Sequence, residues 1–399
     1  MSPAASHSDR SSDVPARAAR PPLPVSAAAF VSSLDRFAIS PLLVLVALDL
    51  GATLAQSLTV ASAYYLAYGL SQPVWGVLSD RFGRIRLMRA TLLAAAIAGV
   101  VSALAPGLVA LIIARAFAGA FFGAVVPASL TFVGDTVDDA HRQPALADLM
   151  AAVALGTALA TALAGVLGDF AHWRVVFAIP AVLAVACAIG LGRVHEEPRE
   201  AQAGAFALIL DAVRNRWVLA VIGLAFMEGA VVLGVLTLLA PALQSQGVGA
   251  GGAGLATAAY GIGVIGATRL VRVVSRSVPM PGLMAIGGCA AVSGYAVLAV
   301  HVSIVSVIAA ALLLGITWSF LHSSLQTWVT GVLPRARGTV VALFAGCLFA
   351  GSAVGASAGG AAASQQQWGL LFGVTSAVAL VVTGAAVVSR RAYESRSLG

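Results

Sequence analysis

The sequence predicts an all-α integral membrane protein with twelve transmembrane helices in two pseudo-symmetric bundles of six. Composition, the placement of arginine and an internal repeat support this prediction. Hydrophobic residues make up 60% of the 399 positions and charged residues only 10%. A membrane-spanning helix needs about 20 apolar residues. Apolar stretches predict spans at residues 26–48, 57–78, 90–106, 108–133, 147–168, 174–192, 217–242, 253–274, 280–300, 302–323, 338–362 and 368–388.

All 23 basic residues are arginine, and their positions predict the orientation of the chain. They concentrate before the first span, between spans two and three, and around the segment between spans six and seven, whereas the opposite loops carry little besides Arg174. Because cytoplasmic loops are enriched in basic residues, both termini are predicted to be cytoplasmic. The net charge of +7 then reflects topology. No nucleic-acid partner is expected, since no compact basic module with interleaved aromatics is present.

A charged segment divides the chain into two halves. It predicts an N-terminal six-helix bundle at 25–192, a cytoplasmic linker at 193–216 and a C-terminal six-helix bundle at 217–389. Residues 1–24 are rich in Ser, Pro, Ala and Arg, which favours a disordered cytoplasmic tail. Residues 390–399 are expected to form a second cytoplasmic tail.

An internal repeat supports two related halves. Gly156 and Gly165 of span five are nine residues apart, as are Gly351 and Gly360 of span eleven. Repeats of this kind imply two bundles with a substrate site between them near the middle of the membrane.

The charged loop at residues 76–86, between spans two and three, carries the most specific motif. Its glycines allow a tight turn, and Asp80 can accept hydrogen bonds from exposed helix N-terminal amides. Its arginines suit an anionic lipid surface; a basic loop of no further role is the alternative. The pattern resembles the signature loop of the major facilitator superfamily, with matches at Gly76, Leu78, Ser79, Asp80, Arg81, Gly83, Arg84 and Arg86.

The resemblance extends over most of the chain. Residues 115–119 resemble the arginine-and-glycine motif of span four, residues 173–177 resemble the start of span six, and residues 334–338 resemble the start of span eleven. Together they look like the drug:proton antiporter branch of the family. The Gly-Pro pair that such exporters often carry in span five is here Ala160 and Thr161, which leaves the direction of transport open.

The resemblance also implies a conformational latch at the cytoplasmic ends of the two halves. Asp135, after span four, is implied as the ionic partner of Arg81 or Arg84. The residues implied in the latch are Gly76, Asp80, Arg81, Gly83, Arg84 and Asp135.

Four charged residues lie deep within predicted spans: Asp35, Arg36, Arg115 and Glu228. Ionisable groups are costly in hydrocarbon and usually serve a transport pathway or an ion pair. Asp35 and Arg36 diverge by about 100 degrees on a helix, so we expect Asp35 to face the pathway and Arg36 to pack against another helix. A structural ion pair among Asp35, Arg36 and Arg115 is the alternative.

Glu228 has no cation near it in the sequence, and we expect a functional role for it. A carboxylate in this position can exchange a proton when its solvation changes. The sequence therefore predicts proton coupling or cavity electrostatics for Glu228, with Asp35 as the rival site.

Polar and aromatic residues predict part of the cavity lining. Tyr64, Tyr68 and Gln72 share one face of span two, with interhelical packing as the alternative. Trp318 and His322 of span ten are further candidates; His322 could instead be a packed or interfacial residue, and Trp318 an anchor at the interface.

An enzyme is not expected. Asp135, Asp138 and Asp139 could in principle hold magnesium on a diphosphate, as in membrane prenyltransferases, but their spacing is poor and no second acidic cluster faces them. No phosphate loop, metal triad or nucleophile–base pair is evident. We therefore expect neither a cofactor nor a metal site.

These observations predict a secondary active transporter, monomeric and multi-pass, in a bacterial cytoplasmic membrane. It would export a small, partly apolar organic compound in exchange for protons, and lipid would be its other partner. A metabolite importer or facilitator of the same fold is the first alternative. A non-transporting membrane receptor or assembly factor is the second.

Overall fold

The computed structural model describes residues 20–196 and 205–397, and it is built from helices joined by short loops. The helices of membrane length are numbered α1 to α12 here, and a linker helix, Ala205–Arg214, lies between α6 and α7. The first six are α1 (Leu23–Phe37 and Ile39–Asp49), α2 (Leu54–Phe82), α3 (Arg84–Ala103), α4 (Leu108–Phe122 and Val125–Thr136), α5 (Asp139–Phe170) and α6 (Trp173–Leu191). The others are α7 (Arg216–Gly229, Ala230–Gly234 and Leu239–Gln244), α8 (Ala250–Val274), α9 (Met280–Val300), α10 (Ile304–Thr317, Trp318–His322 and Ser323–Val332), α11 (Arg337–Ser364) and α12 (Trp368–Ser397).

Prolines account for the breaks in several helices. A proline removes the hydrogen bond to the carbonyl four residues earlier and its ring clashes with that carbonyl. The carbonyl four residues before Pro41 is that of Phe37, and α1 bends by 44° at this point. Pro241 stands in the same relation to the irregular turn before the last segment of α7. The first helix of each half therefore carries a proline-linked irregularity, near the middle of α1 and before the last segment of α7.

The helices agree with the predicted membrane architecture. Within the described residues, ten helices are long and apolar enough to cross a membrane, and the bent pair that forms α1 makes an eleventh. The remaining helix, α2, has 29 residues but is less apolar. The twelve helices fit the predicted fold of two six-helix halves.

Some predicted boundaries differ from the observed ones. Helix α1 begins at Leu23, inside the segment predicted as a tail, and α12 continues to Ser397. The linker contains a helix. Of the predicted tails and linker, residues 1–19, 197–204 and 398–399 lie outside the described residues.

The two halves meet mainly through two helix pairs, α2 with α11 and α5 with α8, and α1 makes smaller contacts with α7 and α8. The α5–α8 crossing depends on glycine. A Cβ atom added to Gly165 would overlap the carbonyl oxygen of Ala250, and one added to Gly254 would overlap that of Thr161. Small residues at these positions let the two backbones approach closely.

Hydrogen bonds between the halves cluster at one end of the molecule, which we call the closed end. The Asp169 carboxylate accepts from the backbone amides of Ala250 (3.1 Å) and Gly251 (2.6 Å) at the start of α8. The amide of Ala55 donates to Oγ of Ser364 at 3.0 Å. These contacts hold α5 to α8 and α2 to α11.

The halves separate towards the other end, which carries the loop at residues 76–86 and is called the arginine-rich end. On α2, a Cβ atom at Gly69 would contact Gly346 and Phe349 of α11, so the helices touch at that level. Two turns further along the same face, a Cβ atom at Gly76 would meet nothing within 4 Å. Gly266 of α8 is open in the same way. The cleft between the halves therefore opens at the arginine-rich end.

Candidate functional site

A small central cavity lies between the halves. Helices α1, α2 and α5 line it from the N-terminal half, and α7 and α8 line it from the C-terminal half. Seven of its nine lining residues carry hydroxyl groups, and the other two are apolar. The lining residues are Phe37, Ser40, Tyr65, Thr157, Thr161, Leu236, Thr237, Thr257 and Tyr260.

Two hydroxyl contacts cross between the halves at this cavity. Ser40 Oγ donates to the backbone oxygen of Thr237 at 2.9 Å, and Tyr65 OH lies 3.2 Å from Thr237 Oγ1. Thr161 differs from its neighbours, because its buried Oγ1 has no hydrogen-bond partner among the residues described. The cavity therefore contains at least one polar group that is available to a ligand.

The residues predicted to line a cavity, Tyr64, Tyr68, Gln72, Trp318 and His322, are not among those that line this one. Tyr64 and Tyr68 stack on each other, 6.1 Å between ring centroids, and Gln72 is buried on α2. Tyr65 faces the cavity instead. One residue along a helix is about 100 degrees of rotation, so Tyr64 and Tyr65 cannot share a face.

Asp35 and Arg115 form a bidentate ion pair inside the N-terminal half. Nη1 and Nη2 of Arg115 each lie 2.8 Å from a carboxylate oxygen of Asp35, and both side chains are 1% exposed. The guanidinium is also packed between the rings of Tyr64 (4.7 Å) and Phe177 (4.6 Å). Paired charges with this geometry satisfy most of each other's hydrogen-bonding capacity.

This arrangement differs from the expected division between Asp35 and Arg36. Asp35 is engaged by Arg115, whereas Arg36 points towards the contact between the halves. The Arg36 guanidinium lies over the rings of Phe37 (4.9 Å), Tyr68 (5.3 Å) and Phe349 (5.5 Å), the last of which belongs to α11. The bidentate pair fixes Asp35, and helix geometry then directs Arg36 to a different face.

Glu228 has a partner that the sequence did not reveal. Its Oε2 lies 3.1 Å from Nδ1 of His322 on α10, and the Glu228 side chain is fully buried. The His322 ring stacks on Trp318 at 3.7 Å. The remaining carboxylate oxygen, Oε1, is buried and has no hydrogen-bond partner within the described part of the chain.

Both members of the Glu228–His322 pair lie at π-helical segments. Ala230–Gly234 follows Glu228 in α7, and Trp318–His322 contains His322. Short π-helical segments are frequent at functional sites. A second cavity, with about 210 Å³ of empty volume, adjoins the carboxylate and is lined by Glu228, Val231, Val232, Ala291, Thr317, Leu321, Ala379, Val382 and Thr383.

The charged loop at the arginine-rich end is organised around Arg84. Its Nη2 lies 2.9 Å from Asp135 Oδ2 on α4 and 3.5 Å from Asp80 Oδ1. The Asp80 side chain is 58% exposed. Arg81 is exposed and lies over the ring of Phe82. The expected partnership of Asp135 with an arginine of this loop is thus present in the geometry.

Glu196, rather than Asp80, accepts from the helix N-terminal amides in this loop. Its carboxylate receives the amides of Arg84 (2.7 Å) and Ile85 (2.8 Å), which begin α3. Gly83 permits this contact, because its φ is +90° and a Cβ atom there would lie 2.9 Å from Glu196 Oε2. Asp80 lies in the last turn of α2, and the first amides of α3 donate to Glu196 instead.

The described residues contain no group of three or more His, Cys, Asp or Glu side chains able to hold a metal ion. The three cysteines are unpaired, with Cys187 buried, Cys347 half-buried and Cys289 exposed.

Sequence and structure comparisons identify similar proteins. A profile of the family described as Major Facilitator Superfamily matches residues 25–356. A search of curated proteins gave no match.

Three solved structures share the fold. A bacterial homolog to the human lysosomal transporter Spinster, inward-facing and unoccupied, has a TM-score of 0.73 and 16% identity, covering 92% of this chain and 96% of that chain. The inward-facing and occupied form has a TM-score of 0.74 and 16% identity over the same shares. A mutant of the nucleoside transporter NupG has a TM-score of 0.77 and 13% identity, covering 92% of this chain and 99% of that chain.

Proposed function

The chain belongs to the Major Facilitator Superfamily, and on that basis we propose that it is a proton-coupled exporter of a small organic compound. It is a multi-pass integral membrane protein with a transporter fold, and transporters of this kind are generally not enzymes. The finer assignment, to the drug:proton antiporter branch, rests on the motifs at residues 76–86 and 115–119.

The observation that carries proton coupling is the buried Glu228–His322 pair. A fully buried carboxylate with one unpartnered oxygen is stable as an anion only if a cation or solvent reaches it. His322 can supply the cation when it is protonated. A change of solvation between two conformations would release or take up the proton, and this exchange would couple flux to the proton gradient.

In this proposal the Asp35–Arg115 pair has a structural and electrostatic role and does not exchange the proton. Its two short bonds balance both charges within one half, so it would hold α1 against α4 while the halves move. We assign cavity electrostatics to this pair, and proton coupling to Glu228 and His322.

Alternating access would use the contacts described above. In this structure the halves touch at the closed end and separate at the arginine-rich end. In the opposite state the arginine-rich ends would meet, and the exposed Asp80 carboxylate would then contact the C-terminal half together with Arg81 and Arg84. Gly69 and Gly76 lie on the same face of α2, but only the position of Gly69 is covered by α11. The uncovered surface at Gly76 could therefore be contacted by the C-terminal half in the opposite state, which supports a latch there.

We propose a bacterial cytoplasmic membrane location with both termini cytoplasmic and a monomeric transporter. The arginine-rich end would then face the cytoplasm, and the structure would represent an inward-open state. The distribution of arginine between the two ends supports this orientation.

Inverted membrane vesicles provide the test of function. Vesicles from cells that express the chain would be energised with an inward-acidic proton gradient and screened for accumulation of compounds found by a resistance screen. We expect accumulation that collapses when a protonophore removes the gradient. Accumulation that is indifferent to the gradient would contradict proton coupling, and absence of flux from well-folded protein would contradict transport.

A metabolite importer or facilitator is the second candidate, and the central cavity favours it. Its lining of seven hydroxyl groups suits a hydrophilic solute more than a large apolar drug. Uptake by intact cells in place of accumulation by inverted vesicles would identify this alternative.

A further inference from the structure

Two of the buried arginines of the N-terminal half, Arg36 and Arg115, differ in how their charge is balanced. Arg115 makes two hydrogen bonds of 2.8 Å to a carboxylate. Arg36 is 9% exposed and has no ion pair within the described residues. Its side-chain bonds are to neutral oxygens, Tyr68 OH at 3.3 Å and Ser33 Oγ at 3.4 Å, which are long for a charged donor.

The donor capacity of Arg36 is therefore incompletely used. A guanidinium has five N–H donors, and Nε of Arg36 is buried without a hydrogen-bond partner. In the absence of an anion, three aromatic rings stabilise the cation through cation–π contacts. A buried cation held in this way can still accept a carboxylate or phosphate group, since rings supply no hydrogen-bond acceptor in the guanidinium plane.

Arg36 lies beside a residue that lines the central cavity. Its guanidinium lies 4.9 Å from the centroid of Phe37, and Phe37 lines that cavity. Phe349 of α11 completes the ring cluster from the C-terminal half. An anion bound at Arg36 would therefore lie where the two halves meet.

The cavity hydroxyls complement such an anion. Thr157 and Thr257 donate to backbone oxygens of their own helices, so their lone pairs remain as acceptors towards the cavity, whereas Thr237 already accepts from Tyr65 OH. Thr161 has no partner at all among the described residues. Acceptors on this wall match hydroxyl donors on a ligand, while Arg36 supplies donors for a negative group.

We propose that Arg36 binds the anionic group of the transported compound, and that this compound is a small hydroxylated organic anion. The inference rests on the proposed transport function, because it assigns the substrate class of the same cavity.

Thermal unfolding of the purified full-length protein in detergent tests the proposal with two matched pairs of probes. Gluconate and glucose are both hydroxylated but differ in charge, and benzoate and benzamide differ in charge without carrying hydroxyl groups. We expect gluconate at tens of millimolar to raise the melting temperature by several degrees, benzoate by less, and the neutral partners by little. Sodium chloride at equal ionic strength corrects for screening.

Variants assign the effect to residues. Arg36→Gln should abolish the preference for anions, Arg36→Lys should retain part of it, and Thr161→Val should weaken gluconate more than benzoate. The exposed Arg272 provides a charge-matched control, so Arg272→Gln should behave as the parent protein. If Arg36→Gln does not fold, the test rests on Arg36→Lys. A reduced preference for gluconate over glucose in this variant supports the proposal, and an unchanged preference contradicts it.

Several results would overturn the proposal. They are no stabilisation by either anion, equal stabilisation by the neutral partners, or an anion preference that survives in Arg36→Gln. Proton-driven flux measured on the same proteins separates the two hypotheses. Flux without an anion preference would reject only the substrate class, whereas an anion preference without flux would reject only the transport function.

Discussion

Nδ1 of His322 lies 3.1 Å from Oε2 of Glu228, and this pair joins α7 to α10 inside the C-terminal half. Each residue lies at a π-helical segment, where backbone hydrogen bonding is already irregular. A shift of either segment would change the distance between carboxylate and imidazole at low cost to the rest of the helix. The pair is thus suited to respond to a conformational change.

Glu228→Gln should abolish uphill transport. The substitution keeps the shape and hydrogen-bonding capacity of a protonated glutamate but removes its exchangeable proton. We expect gradient-driven accumulation in proteoliposomes to fall to the level of protein-free vesicles, with downhill exchange partly retained.

Asp35→Asn tests the rival coupling site, with flux expressed per folded protein because this variant should be less abundant, and His322→Gln is the control for the partner. If Glu228→Gln still concentrates substrate with an unaltered pH dependence, Glu228 is not the coupling residue and Asp35 becomes the better candidate.

Removing one member of the Asp35–Arg115 pair should destabilise the protein strongly. Asp35→Asn leaves the Arg115 charge buried and unpaired, which typically costs about 3–5 kcal/mol of unfolding free energy. We expect a lower melting temperature and less protein in the membrane.

A double-mutant cycle checks this interpretation. Asp35→Asn combined with Arg115→Gln should be less destabilising than the sum of the two single changes, because no unpaired charge remains. Additive effects would show that the two side chains do not stabilise each other.

Glu196→Gln should weaken the start of α3. Loss of the carboxylate charge from two N-terminal amide bonds should cost about 1 kcal/mol. Gly83→Ala should have a comparable or larger effect, about 1–3 kcal/mol, because its φ of +90° is unfavourable for alanine. Thermal unfolding of the purified variants measures both.

Gly76→Ala is the matched control for Gly83→Ala, since a Cβ atom at Gly76 meets nothing within 4 Å in this state. A melting temperature that falls equally in both variants would rule out a specific role for the Gly83–Glu196 contact.

Asp80→Asn should lower transport while membrane abundance stays near normal. Asp80 is 58% exposed and lies 3.5 Å from Arg84, so its loss should cost less than about 0.5 kcal/mol in this conformation. The charge is expected to act in the opposite state, which flux measurements probe. Unchanged flux would reject the latch role, and loss of protein from the membrane would make Asp80 structural.

Reporter fusions test the orientation. A reporter active only in the cytoplasm should give signal when it is fused at Gly399 and none when it is inserted in the loop at residues 244–252. The reversed pattern would overturn the assignment of both termini to the cytoplasm.

The helices were predictable because apolar length is a local property of the chain. The twelve predicted spans correspond to the observed helices. Boundaries differ at α12, where the helix continues past the predicted end at residue 388 to Ser397. Polar residues at a helix end extend the helix beyond the apolar core, and hydropathy does not register them.

The candidate site was less predictable, since its contacts join distant positions. Glu228 and His322 are separated by 94 residues on different helices, and no local pattern pairs them. Asp35 and Arg36 were both recognisable as buried charges, but which one faces Arg115 depends on how α1 rotates against α4. Glu196 lies in the charged segment at residues 195–200, and nothing in the sequence distinguishes it from its neighbours.

The cavity lining had a weak sequence pattern. Thr157 and Thr161 lie one turn apart on α5, as an i, i+4 pair on one face. Threonine in membrane helices commonly bonds back to its own helix, as Thr157 does to the backbone oxygen of Val153. The pattern therefore gives no distinction between a wall of the cavity and ordinary packing.

The uneven charge balance of Arg36 and Arg115 has a consequence for voltage. Asp35 and Arg115 are neutral as a unit, so moving them through the field across the membrane does no electrical work. Arg36 keeps a full positive charge, and one elementary charge crossing the field is worth roughly 2.3 kcal/mol per 100 mV. With a monovalent anion bound, that charge is cancelled. The empty transporter should therefore reorient in a voltage-dependent manner, whereas the loaded transporter should be indifferent to membrane potential at this site.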